Sequence, residues 1–494
     1  MRRMKGAAGL LTALLLAFQL SAQTFALANE DNGIKVVPVN FTHNGYSYEI
    51  EGVAKSTDGD YQIKSPARLA ARKLPSTYDP RSSGEITTVK DQASTGACWA
   101  FSALACAEQD LIKKGLENPS TEFSVPALVL SSNSGTATGK DDFSSGGNWL
   151  FAASALANGQ GLCYEDYEPF LESGTGNMIV SENKKSVSEY RLNYVMELSS
   201  TTQVKRKIME LGAVSASYFA GNGYMNHNNT AYYDPDASKN TIINHSVTVV
   251  GWDDNYSKDN FRYKPANNGA WLVKGSWGAD QDNDGFYWVS YDEAEFGQFC
   301  CYDFEESCDN TYHYSKMTGY VVNASNDGSV YGANVFTAKA DEKLDKAGFM
   351  YVGKTGSADY TLSVYTNVSD SDPIGVLETQ ISGSVSANGF YTVDFPEDIL
   401  LEEGEKYSIS VKFSGDSGRG YLLAESDRTS KAQSGQSYVS LNGKYWSDVG
   451  ADKTDSIGSL FIYAYTDDTA KPDKSSLETT LATVSYTHLT LPTI

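Results

Sequence analysis

Cysteine and histidine are both scarce in this 494-residue chain, at six and five residues. Six cysteines are too few for a fold built on disulfides, and none stands at metal-ligand spacing with histidine, which leaves little case for a zinc site. Positive charge is short as well: 39 Lys and Arg stand against 62 Asp and Glu, a formal net charge of −23. Taking away the three basic residues at the start (Arg2, Arg3, Lys5) makes it −26, because no acidic residue precedes Glu30. Such a surface repels nucleic acid and anionic membrane, so neither is expected as a partner. After residue 28 no stretch is apolar enough to cross a bilayer, so no transmembrane segment is expected.

What is present describes folded protein: 40% hydrophobic and 12% aromatic residues, with 32 tyrosines. The length implies two or three domains. Arg2, Arg3 and Lys5, the apolar stretch Ala7 to Phe18, and the small-x-small site Ala26-Leu-Ala28 form the three parts of a secretory signal over 1–28. Residues 29–73 read as an N-terminal segment or short propeptide, ending in the basic run Ala67-Arg-Leu-Ala-Ala-Arg-Lys73. The interval 74–304 begins with helical patterns, an amphipathic run Trp99 to Lys114 stopped by Gly115 and a second at 149–158 stopped by Gly159. Strand patterns follow at 213–219, 246–252, 270–274 and 285–291, which makes an α+β domain. From 305 to 466 short alternating strands separated by Ser, Gly, Asp and Asn turns predict an all-β sandwich, jelly-roll-like, with no cysteine among its strands. Residues 467–494 read as a linker and a truncated or artefactual tail, its last eleven residues resembling translated adapter sequence.

The chemistry concentrates in Asp91-Gln-Ala-Ser-Thr-Gly-Ala-Cys-Trp-Ala-Phe-Ser-Ala103. Cys98 stands at the start of a helical run, where the positive end of the helix dipole favours thiolate over thiol. A cysteine taken alone is more often a small buried hydrophobe. A nucleophile also needs an imidazole to take its proton and return it to the leaving amine. Two histidines lie in the α+β part: His245, entering the strand Asn244-His-Ser-Val-Thr-Val-Val-Gly251, and His227, in a polar loop. Further on, Trp271-Leu-Val-Lys-Gly-Ser-Trp-Gly278 ends a strand in a turn able to lay an indole over a catalytic pair.

Together these residues resemble the papain family of cysteine proteases. The resemblance runs through Leu74-Pro-Ser-Thr-Tyr-Asp-Pro-Arg81, Val89-Lys-Asp-Gln92, Gly96-Ala-Cys-Trp-Ala-Phe-Ser102, Gly146-Gly147, His245-Ser-Val247, Gly251 and Ser276-Trp-Gly278. It implies that Cys98 is the nucleophile, held as thiolate against a His245 imidazolium, and that Gln92 and the Cys98 amide form the oxyanion hole. Gly146 and Gly147 would receive an extended substrate backbone, Ser217 and Asn244 would border the second specificity pocket, and Trp277 would shield the site. No cofactor is implied for catalysis, and a structural calcium ion in the sandwich stays open.

Three positions depart from the family pattern. Gly275 stands where an asparagine orients the histidine, with Asn267 or Asn268 as candidate substitutes. Thr95 and Ser144 replace a disulfide pair, and the N-terminal segment is too short for the usual inhibitory pro-domain. A following all-β domain is similar to the lectin-like module of surface cysteine proteases of clostridia and related Gram-positive bacteria. That implies an exported or cell-wall-associated endopeptidase acting on proteins or peptides, with surface-layer proteins, wall proteins or glycans as partners. Two other readings stay open: a catalytically impaired papain fold kept for binding, on account of Gly275, and a Cys/His peptidoglycan amidase.

Overall fold

The computed structural model describes residues 35–38 and 73–469, except 134–142, 144–145, 160, 168, 171–188, 222, 237–242, 280–281, 316–320, 370, 427–431 and 452–456. The signal sequence, Ser144 and the C-terminal tail lie outside the described residues, as does most of the N-terminal segment.

Helix α1, Cys98–Lys113, is rich in alanine and leucine and buries every residue from Cys98 to Leu111. The sequence predicts one apolar stripe, but the helix is covered on all sides, as a central core helix must be. It ends just before Gly115, whose φ of 72° an L side chain rarely adopts. Helix α2 is Val125–Asn133, and helix α3 is Trp149–Ala157. Asn148 starts α3 by accepting the Leu150 and Phe151 amides at 2.9 and 3.3 Å. Helix α4, Thr201–Leu211, opens with a reciprocal cap. The Ser200 hydroxyl accepts from the Gln203 amide, and the Gln203 side chain accepts from the Ser199 amide. No α-helix follows among the described residues.

The strands form two sheets among the described residues. One has twelve strands and carries the active-site half toward one end, including the antiparallel neighbours Val214–Tyr218, His245–Asp253, Ala270–Lys274 and Phe286–Ser290. The same sheet continues through Tyr190–Leu198 into the later part of the chain. Gly389, Phe390 and Tyr391 pair with Met196, Val195 and Tyr194, and Gly389–Leu401 then pairs with Glu342–Tyr351. The second sheet, of eight strands, includes Val321–Thr337, Ala358–Thr366, Val376–Val385 and Lys406–Ser426. Phe336, Leu344, Phe349, Leu362, Ile409 and Phe413 fill the space between the two sheets. The papain-like α+β part followed by a β-rich sandwich is therefore as the patterns predict. Lys35–Pro38, from the N-terminal segment, adds antiparallel to Val322–Ser325 of the second sheet.

The two halves are not separate bodies. Leu156 and Ala157 of α3, Leu192 and Val195, and Phe390, Phe461, Tyr463 and Tyr465 of the sandwich belong to one continuous buried cluster. The Tyr465 hydroxyl donates to the Ala157 carbonyl at 3.1 Å, and the Arg191 guanidinium lies 4.5 Å over the Tyr465 ring. No disulfide joins Cys300 or Cys301 to Cys308 or Cys163.

A shared core has a measurable consequence. Heating should unfold both halves in one calorimetric transition, and Phe390→Ala should lower stability by about 3–5 kcal/mol. Two resolved transitions, with Phe390→Ala moving only one of them, would show that the halves fold independently.

Candidate active site

Cys98 is the first residue of α1, after an Ala97 that makes no side-chain cap. The Ala100 amide is taken by the Ala97 carbonyl at 2.9 Å, which leaves the Cys98 and Trp99 amides at the helix start free of an intrahelical acceptor and available to an anion. One turn further, the Ser102 hydroxyl donates to the Val247 carbonyl at 2.7 Å. Four helical residues rise about 6 Å and two strand residues about 7 Å. That fastening accordingly sets Cys98 beside the His245–Ser246 end of the His245–Asp253 strand. The sulfur meets the amide and hydroxyl of Ser246 and the amide of Trp99. Burial pushes the Cys98 thiol up, and these donors oppose it.

His245 is 5% exposed, and burial pushes its imidazole down to about 4. Trp277 lies over it, ring centroids 5.4 Å apart and planes 31° apart, while remaining 47% exposed on its outer face. The Tyr218 ring flanks it at 5.9 Å, and the Tyr218 hydroxyl meets that of Tyr287 at 2.8 Å. His245 Nε2 is buried with no hydrogen-bond partner. Gly275, at the position of the missing asparagine, offers none. Asn267 and Asn268 do not substitute: both are exposed, Asn267 bonds Asp292, and Asn268 accepts from the Lys258 amide. A Cβ on Gly275 would stand 3.1 Å from the Gly285 carbonyl oxygen and 3.4 Å from the Tyr287 ring, so a side chain enters with a shift of a few tenths of an ångström. His227 is exposed in the turn after Met225.

Gln92 is 3% exposed and held at both ends of its carboxamide. Oε1 accepts from the Ser276 hydroxyl at 2.6 Å, and Nε2 donates one hydrogen to the Thr95 carbonyl at 2.8 Å. The second Nε2 hydrogen has no acceptor among the described residues. Thr95, at a position where the family has a cysteine, donates its hydroxyl to the Gln92 carbonyl at 2.8 Å. The turn 275–278 is zipped to this segment through Gln92 N to Ser276 O at 2.8 Å and Gly278 N to Lys90 O at 3.1 Å. This pairing carries Trp277 over the histidine.

A charged network behind the site fixes these parts to α1. Lys274 Nζ donates to the Thr87 hydroxyl at 2.6 Å and lies 3.8 Å from Glu108. Glu108 accepts from Thr87 at 2.7 Å and from the Phe123 amide, with Lys90 at 3.3 Å. Burial lowers the Lys274 ammonium, opposed by Glu108. A small recess opens here, lined by Ser102, Glu108, Ser246, Lys274, Gly275 and Ser276 among others.

The remaining residues singled out in the sequence fall around this centre. Gly147 packs flat on the Trp99 indole, where a Cβ would come within 2.4 Å of the ring, and Gly146 precedes it, half-buried. Ser217 lies across from Ser246, hydroxyls 3.0 Å apart. The Asn244 side chain is engaged with the Ala220 backbone, accepting its amide at 2.7 Å. Sequence reasoning missed Ser246 as a donor to the sulfur and Ser276 as the anchor of Gln92. Both sit next to residues already singled out, yet nothing in spacing alone marks them.

A helix-borne cysteine, an imidazole under an indole and a fixed carboxamide define a cysteine-protease site of the papain type. The papain family model matches residues 74–327, more than half of the chain, and the chain belongs to that family. A lectin-like domain model matches residues 311–466. Cathepsin S of Bos taurus is 29% identical over 218 residues, 44% of this chain and 60% of that protein. Cathepsin K of Mus musculus is 24% identical over 216 residues, 43% of this chain and 59% of that protein. The chain thus spans about 60% of the length of these relatives. The cysteine protease and lectin-like domains of Cwp84, a surface layer associated protein of Clostridium difficile, superpose with TM-score 0.71 at 25% identity. That match covers 88% of this chain and 99% of the other. Clostridial Cwp84 after propeptide cleavage gives 0.70 at 28% identity, over 80% and 99%.

The unpartnered Nε2 has a direct test. In a Cys98→Ala background, His245 should titrate near pH 4 by imidazole ¹⁵N NMR. Adding Gly275→Asn should raise that midpoint, because an amide oxygen accepting Nε2–H favours the imidazolium. An unchanged midpoint would mean that the new side chain does not reach the ring.

Proposed function

We propose that this chain is an exported cysteine endopeptidase, hydrolysing peptide bonds in proteins through Cys98 and His245. The observation that carries the reading is the fixed carboxamide of Gln92. With Oε1 anchored by Ser276 and Nε2 donating one hydrogen to Thr95, the carboxamide is fixed with one N–H left for a ligand. In the papain-type reading that N–H and the Cys98 amide together form the site at which a scissile carbonyl oxygen becomes an oxyanion. His245 takes the thiol proton as sulfur attacks the carbonyl carbon, then returns it to the leaving amine. A water deprotonated by the same imidazole cleaves the thioester. Burial works against both charged forms. The thiolate–imidazolium pair therefore exists to the extent that its members stabilise each other, with help from the Ser246 and Trp99 amides. The reading needs no cofactor.

The apolar, basic-flanked start supports export. The likeness to a surface layer associated protease supports proteins of the bacterial surface or wall as substrates. Around Ser217, Ser246 and Asn244 the pocket wall carries hydroxyl and amide groups and no charge, which favours neutral side chains there.

One observation favours a second reading, a catalytically weak site. His245 Nε2 has no hydrogen-bond partner among the described residues, so on that edge the ring is held by its packing against Trp277 and Tyr218. Gly275→Asn should then raise kcat severalfold with little change in KM, measured on a peptide substrate. A fall in kcat in the folded variant would mean that the ring is already held well.

An epoxysuccinyl peptide should label Cys98 near neutral pH, with none on Cys98→Ala, as read by intact-mass spectrometry. Gln92→Ala should lower kcat by about 10²–10³. No labelling of the folded protein would remove the protease reading, and cleavage of muropeptides but not of unfolded protein would replace it with the amidase.

A further inference from the structure

The second domain reaches the substrate side of the cleft through three side chains. Trp149, the first residue of α3, follows directly on Gly146-Gly147-Asn148. Its indole N–H donates to Glu197 Oε1 at 3.1 Å. The other carboxylate oxygen, Oε2, accepts from Asn388 Nδ2 at 3.0 Å. Asn388 belongs to the sandwich and is 2% exposed. Its Oδ1 accepts from the Gly353 amide at 3.0 Å, and its backbone carbonyl accepts from the Glu197 amide at 2.9 Å. Four groups from two domains are thus interlocked at the point where the sheet crosses between them.

Glu197 has no cation beside it among the described ion pairs. Burial pushes its carboxyl up, and only the hydrogen bonds from Asn388 and Trp149 oppose that. A carboxylate held by neutral donors is costly to leave half-satisfied, so the geometry of its donors is tightly specified. The glycine pair has the opposite property. Without side chains, Gly146 and Gly147 have no anchors of their own, and their height is set by what touches them. On one side this is the Trp99 indole beside the nucleophile. On the other it is α3, whose first residue is tied to Glu197.

We propose that Glu197 and Asn388 are positioning residues for substrate binding, so that the lectin-like domain sets the Gly146–Gly147 ledge through Trp149. This rests on the papain-type reading of the cleft, in which that ledge receives an extended peptide. A role confined to stability would leave the affinity of the folded protein for peptide unchanged; a positioning role weakens it and spares the nucleophile.

The test uses the full chain and a peptide spanning both sides of a cleaved bond. Its affinity is measured by calorimetry in the Cys98→Ala background, so the result does not depend on turnover. Asn388→Ala and Trp149→Phe should each weaken binding about 5–10-fold. The double variant should weaken it little more than either alone, because both break the same chain of contacts. With Cys98 intact, both variants should slow inactivation by an epoxysuccinyl peptide by a similar factor and leave alkylation by iodoacetamide unchanged. Unchanged affinity in the folded variants, fully additive losses, or equal slowing by both reagents would overturn the proposal. Should Asn388→Ala fail to fold, Trp149→Phe, which leaves the backbone pairing between domains intact, decides the matter alone. A parent that binds peptide but never cleaves it would overturn the protease reading and leave this one standing.

Discussion

Burying α1 on every side is the constraint from which the site follows. A core helix carrying Ser102, Glu108 and Asp110 must bring partners for those groups into the interior with it. Most of those partners lie on other elements packed around the helix. Ser102 takes the carbonyl of Val247, Glu108 takes Thr87 and faces Lys274, and Asp110 takes Lys114 and the Phe304 amide. The bonds to Val247, Lys274 and Phe304 that satisfy the helix also place strands against it. Cys98, His245, Gln92 and the Trp277 turn are thereby set around one point.

The same burial that builds the site works against its charge. Desolvation lowers the His245 imidazole and raises the Cys98 thiol, and the compensation available is local: uncapped amides at the helix start, Ser246, and whatever the two groups gain from each other. Most of the imidazole is covered by rings, Trp277 above and Tyr218 beside it, which exclude water without supplying a hydrogen bond. Gly275 thus concentrates its effect on one atom, Nε2. The rest of the constellation is intact around it.

Much of this was legible in the chain. Helices before strands, then an all-cysteine-free run of alternating strands, announced the two architectures in order. The motifs around Cys98, His245 and Trp277 placed the reactive residues. Helix α4 and the Tyr190–Leu198 strand were missed, although Ser200 and Gln203 carry a capping-box signature. The long strands Val321–Thr337 and Lys406–Ser426 read as short ones because turn residues interrupt their patterns: Asn326, Asp327 and Gly328 in one, Gly415 to Gly420 in the other. Pairing stops at those breaks and resumes beyond them: Asp327 pairs with Arg419 and Ser329 with Ser414, so Gly328 and residues 415–418 have no partner in the register.

By itself, the sequence determined what the chain has to react with: one thiol at a helix start, one imidazole at a strand start, one carboxamide six residues before the thiol, and no asparagine at 275. Those are identities, and no fold alters them. Only the tertiary structure decided which atoms face each other. It left Nε2 without a partner, turned Gln92 by anchoring Oε1 on Ser276, and joined the sandwich to the cleft through Glu197 and Asn388, 191 positions apart. Hydrogen bonds depend on distances of a few ångströms and on direction. Linear spacing carries neither once the chain turns back on itself.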